Sequence, residues 1–163
     1  MKRLIIVRHA KSDPYGYDND FYRDLTDRGI KDAEKISSQL KKTGITPDLV
    51  IASPATRTMH TANIFCKNLE YDFKAIRQEV AFYDTATTQD FISVIQQLPE
   101  EIQTVFIFGH NPTVYYLVDK MVKYFNADMP TCSTVGIDFS VDRWEQVAPQ
   151  GGKVAFQYIP KGM

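Results

Sequence analysis

Cysteine is scarce: only Cys66 and Cys132 occur, with no CxxC pair and no metal-ligand spacing. A disulfide framework or a thiolate metal knuckle is therefore not expected, and both side chains read as packed hydrophobes in a reducing compartment. Long apolar runs are missing too, since none approaches the roughly 20 residues of a membrane span. The apolar run near the start is too short for a signal sequence and is broken by Arg8. These absences lead to the expectation of a cytoplasmic protein with no membrane partner. An excess of one charge is also absent: 19 Lys and Arg stand against 20 Asp and Glu, a net charge of −1. That balance argues against a broad nucleic-acid surface, while a local basic pocket stays open. Neither GxxxxGK(S/T) nor GxGxxG occurs, so neither nucleotide cradle is supported.

What is present is a regular alternation of strand and helix patterns. The 163 residues suit one domain, 1–163, with a full core. Lys2 to Arg8 reads as a strand. LTDRGIKDAEKISSQLKKTG follows as a helix, with Thr26 as N-cap, Gly44 at its end and Gly29 as a local cost in the first turn. DLVIAS is a second strand, and a helix is expected to start near Ser53 and Pro54. Residues 75–79 form a weaker strand candidate. TQDFISVIQQLP is a helix, QTVFIFGH a strand and NPTVYYLVDKMVKYFN a helix. STVGIDFSV and GKVAFQYI close the chain as two neighbouring strands. Continuous apolar strands separated by helices predict a three-layer α/β/α sandwich around a mostly parallel sheet.

In such sheets ligands bind beyond the carboxyl ends of the strands. The unusual residues all fall there. Arg8 and His9 close the first strand, Ser53, Pro54 and Arg57 follow the second, Glu79 follows the weak one, and Gly109, His110 and Asn111 follow the fourth. A buried strand ending in Arg-His needs an anion to meet it, because an unpaired buried charge costs several kcal/mol. Arginine forks match phosphate oxygens. With phosphate held, a neutral histidine is a candidate nucleophile at pH 7, giving a phosphohistidine that water then hydrolyses. The three histidines could suggest zinc, but flanking arginines repel a cation, so neither metal nor cofactor is expected.

RHAKS at 8–12, LTDRG at 25–29, SPATRTMHTA at 53–62 and GHNPTV at 109–114 resemble the histidine phosphatase superfamily, which carries RHG after its first strand. With RHAKS and GHNP, the chain looks most like its SixA-type phosphohistidine phosphatases. Ala10 in place of glycine agrees with that branch. The resemblance runs across nearly the whole chain and implies a phosphoglycerate-mutase-like fold without a large lid insertion. It implies that His9 accepts the phosphoryl group, that Arg8 and Arg57 bind phosphate, and that His110 contacts the phosphoryl group opposite His9. Ser12 falls at a polar contact of some relatives, and Asn111 in the GHNP turn is a further substrate-binding candidate. Arg23 falls where SixA-like chains often have DxxRPL, with Asp24 replacing that proline here.

Larger superfamily members add an acid after the third strand to protonate an alcohol leaving group. Glu79 is the possible general acid here, with Asp84 beside it, but the mutase-type pattern is not reproduced. An imidazole leaving group can depart without one. Short loops at 13–24 and 81–89 suit a phosphorylated side chain on a protein surface. The implied function is a metal-independent phosphatase acting on protein phosphohistidine and releasing inorganic phosphate. The alternatives are a phosphomonoesterase for small phosphate esters and a non-catalytic phosphate-binding module. His60 reads as a variable polar position rather than a site residue, and Tyr115–Tyr116 as helix packing. Tyr15, Tyr17 and Tyr22 read equally as a substrate rim or as core packing.

Overall fold

A computed structural model describes residues 1–162. Six strands form one sheet: β1 (Lys2–Arg8), β2 (Leu49–Ala52), β3 (Arg77–Gln78), β4 (Thr104–Gly109), β5 (Thr134–Phe139) and β6 (Gly152–Tyr158). Their order is β3-β2-β4-β1-β5-β6. The first four in that order run parallel, and β5 and β6 join antiparallel at one side. Four helices cover the sheet: α1 (Asp27–Lys42), α2 (Thr56–Asn68), α3 (Thr88–Gln96) and α4 (Thr113–Met121). Alternation along β1 divides the core. Leu4 and Ile6 pack with Phe91, Ile95, Leu117 and Val118 of α3 and α4. Ile5 and Val7 pack with Ile36, Leu40, Ala62 and Phe65 of α1 and α2. The inner strands β1, β2 and β4 are thus buried on both faces, the physical reason for their unbroken apolar runs. The expected α/β/α sandwich is observed. Among the described residues no helix is long and apolar enough to cross a membrane.

Three helix bounds differ from the sequence reading. α3 stops at Gln96 instead of running on to Pro99. α2 begins at Thr56, not near Pro54. The Ser53 Oγ accepts the Ala55 N–H at 3.4 Å, and Ala55 is extended, so a side-chain-closed turn precedes the helix. α4 ends at Met121 instead of running on to 126, because Val122 turns extended and bridges to Gly152. Gly29 has a reason the sequence did not give. A Cβ there would lie 2.1 Å from the Lys11 carbonyl oxygen. The first turn of α1 therefore packs directly on the backbone of the loop that follows β1.

Candidate active site

The site begins with strand register. β1 and β4 are parallel neighbours, with Arg8 opposite Gly109, so His9 and His110 leave adjacent strand tips. The backbone around them is tied on every side. His9 N–H donates to Gly109 O, Cys132 N–H to His9 O, and Arg8 N–H to Ser133 O, each at 3.0 Å. Thr61 couples this corner to α2: its hydroxyl accepts the Ala10 N–H at 3.0 Å and donates to Arg57 O at 2.8 Å.

His9 is only 8% exposed. Its Nδ1 lies 2.8 Å from Ala10 O. A carbonyl only accepts, so Nδ1 carries the hydrogen and Nε2 keeps a free lone pair. Burial lowers His9 to about 4, helped by the cations of Arg57, Arg8 and Arg23 and opposed by the Ala10 bond. His110 is lowered to about 3, first by burial, then by His9 and Arg57. Its Nε2 lies 2.8 Å from Ser53 Oγ. With that hydroxyl donating to Nε2, the ring hydrogen sits on Nδ1, a buried atom with no partner.

The two arginines repeat this pattern. Arg8 Nη1 donates to Met129 O at 3.0 Å, and Arg57 Nη1 donates to Asp20 O at 2.8 Å. In each, Nε is buried and unpartnered. Leaving a buried charged donor unmade is costly, and such orphans call for an explanation. Arg8 Nε, Arg57 Nε and His110 Nδ1 are all donors, which phosphate oxygens, being acceptors, can satisfy. A cavity of about 360 Å³ opens here, lined in part by Asp20, Arg57, Tyr83, Asp84, His110 and Asn111.

The remaining candidates divide. Asn111 donates through Nδ2 to Met129 O at 3.0 Å, and its Oδ1 is buried without a partner. Ser12 Oγ accepts from Arg23 Nη1 at 2.9 Å, so both serve the 13–24 loop at the cavity mouth. The Glu79 carboxylate is paired with Arg77 at 3.0 Å on the β3 edge. Asp84 does line the cavity. His60 pairs with Asp24 at 2.7 Å, fastening the 13–24 loop to α2. Tyr15 and Tyr22 are exposed, at 79% and 61%, and Tyr17 is also exposed, so none is core packing. Among the described residues, no group of three or more His, Cys, Asp or Glu could hold a metal ion.

Sequence reasoning passed over three participants. Asp20 binds Arg57, and its only signal was its place three residues before Arg23. Ser53 was noted at the strand edge, but its bond to His110 was not foreseen. Tyr83 reaches Asp20 with its hydroxyl at 2.7 Å and places its ring edge-to-face on His110, with centroids 5.6 Å apart.

Comparison with known proteins gives the family and the fold. Residues 4–112 match the family model of the histidine phosphatase superfamily, branch 1. The mitochondrial serine/threonine-protein phosphatase Pgam5 of Drosophila grimshawi is 38% identical over 71 residues, 44% of this chain. The chain covers only 24% of that relative's length. An uncharacterized chloroplastic protein of Arabidopsis thaliana is 25% identical over 162 residues, covering 93% of this chain and 72% of that one. Among solved structures, the protein histidine phosphatase SixA complexed with tungstate superposes with a TM-score of 0.85 at 19% identity, over 98% of both chains. A mycobacterial glucosyl-3-phosphoglycerate phosphatase superposes with a TM-score of 0.70 at 13% identity, over 94% of this chain and 97% of that one. At these identities the likeness shows a shared fold.

Proposed function

The chain belongs to the histidine phosphatase superfamily, and from that premise we propose that it is a metal-independent phosphatase working through a phosphohistidine on His9. We infer further that its substrate is phosphohistidine on a protein partner. The observation that carries the reading is the set of orphan donors from Arg8, Arg57 and His110, grouped with a histidine whose Nε2 lone pair is free. In the first step His9 Nε2 attacks phosphorus. The bond from phosphorus to the leaving nitrogen breaks, and its electron pair stays on that nitrogen. A proton already on the other nitrogen lets the ring depart as neutral imidazole. Arg8, Arg57 and His110 stabilise the charge on the phosphoryl oxygens. Water then attacks phosphorus, inorganic phosphate leaves, and His9 is restored.

The leaving group supports this substrate class. An alkoxide needs an acid, and Glu79 is held by Arg77 instead. Imidazole is far less basic and does not need one. Tyr15, Tyr17 and Tyr22, exposed in the same loop as Asp20, fit a substrate presented on a protein surface. Asp84 in the cavity lining favours a second reading, hydrolysis of small phosphate esters with Asp84 as the acid. A panel of a phosphohistidine peptide, a sugar phosphate and a phosphoserine peptide, run with wild type and His9→Ala, tests both. Turnover of the phosphohistidine peptide, lost in His9→Ala, is expected. Activity that persists in His9→Ala sinks the mechanism, and preference for the sugar phosphate sinks the substrate class.

A further inference from the structure

A carboxylate inside a pocket made for anions needs a reason, and Asp20 is such a carboxylate. It opens a 3-10 turn, Asp20–Tyr22, that is capped by Asn19 in the loop after β1. Its Oδ1 accepts Arg23 Nε at 2.9 Å. Its Oδ2 accepts Arg57 Nη2 at 3.0 Å and the Tyr83 hydroxyl at 2.7 Å. Its main-chain oxygen takes Arg57 Nη1 at 2.8 Å. One residue therefore joins α2, its own loop and the segment after β3. Phe21 braces the last of these, edge-to-face on Tyr83 with centroids 5.2 Å apart.

The pairing on Arg57 is specific. Asp20 occupies both terminal nitrogens of a guanidinium whose side chain is only 7% exposed, and it leaves Nε without a partner. A planar fork held at its far end can present its other edge to an oxyanion in one orientation only. We propose that Asp20 is a positioning residue that fixes Arg57 so that its Nε edge meets the phosphoryl group. This rests on the reading of Arg57 as a phosphate-binding residue. Burial acts to raise the Asp20 carboxyl, but the bonds from Tyr83, Arg23 and Arg57 outweigh it and hold it well below the usual carboxylate range. The clamp is thus an ionised one.

Charge and positioning predict opposite signs, which makes the idea testable. A nearby carboxylate repels phosphate, so simple electrostatics has Asp20→Asn bind phosphate more tightly. Positioning has the same variant bind it more weakly. Inorganic phosphate is titrated into the full chain by calorimetry, with kcat and KM measured alongside. Asp20→Asn is expected to weaken phosphate binding about tenfold and to lower kcat about 10–100-fold. Asp20→Glu is expected to recover part of both, because it restores a carboxylate that can hold Arg57. Tyr83→Phe keeps the charge, removes one bond to Asp20, and is expected to weaken binding about threefold. If Asp20→Asn fails to fold, Tyr83→Phe alone decides. Equal or tighter phosphate binding in the folded variants overturns the proposal. Wild type that binds phosphate yet hydrolyses nothing in the panel defeats the phosphatase reading and leaves the Asp20 result standing.

Discussion

The imidazoles of His9 and His110 stand with ring centroids 5.3 Å apart and planes inclined by 58°. Burial, with the neighbouring arginines, lowers both rings below 6.5. Each is therefore neutral at pH 7, and each keeps one nitrogen without a protein partner. For His9 that nitrogen is Nε2, a lone pair. For His110 it is Nδ1, a donor when Ser53 bonds to Nε2. In the proposed mechanism the pair divides the work of an attacking group and an oxyanion contact, and that division yields the expectations below.

Nitrogen-15 NMR should find His9 with its hydrogen on Nδ1 and titrating near 4, and His110 near 3. Both lie below the ordinary value of 6.5. The unfolded chain binds more protons in that interval, so this contribution to stability is complete above about pH 6.5 and is lost as pH falls through the folded values. Chemical denaturation at pH 7 and pH 4.5 should show the loss. His9 titrating at 6.5 contradicts the account of its burial.

Ser53→Ala removes the partner of His110 Nε2. The expected result is a fall in kcat of about tenfold, with KM little changed and the His110 NMR tautomer signature altered. Unchanged kcat and tautomer would mean that Ser53 does not orient the ring.

Gly29→Ala places a methyl against the Lys11 carbonyl, two residues after His9. Because the obstacle is backbone, either α1 or the loop after β1 must move. A destabilisation of about 1–3 kcal/mol is expected from thermal melts, accompanied by reduced turnover. A variant as stable as wild type contradicts the packing.

Glu79→Gln breaks only the pair with Arg77 at the sheet edge. Turnover of the phosphohistidine peptide should stay within about twofold of wild type. A large loss would restore Glu79 as a candidate acid.

The layers of the fold were legible because each strand of the sheet core is covered on both faces, and its apolar run records that burial. The tips were legible for the opposite reason. Arg8, His9, Arg57 and His110 are costly where they stand, so their appearance at strand ends was informative. Asp20 was legible only as the first letter of the DxxR pattern at Arg23; its contacts were not, since its partners Arg57 and Tyr83 are 37 and 63 residues away. The Met129 carbonyl that holds both Arg8 and Asn111 is a backbone group and leaves no mark in the sequence. Gly29 misled for a related reason: helix propensity saw a local cost, and the approach of Lys11 that requires glycine is a tertiary contact.

The central claim is that the phosphoryl group passes through His9. Its most direct measurement is a rapid quench of full-length protein with a phosphorus-32-labelled phosphohistidine substrate, followed by mapping of the labelled residue. The account predicts an acid-labile, base-stable phosphoenzyme on His9 that forms and decays at rates compatible with turnover and is absent from His9→Ala. Turnover with no label on the protein, or label retained in His9→Ala, would contradict it.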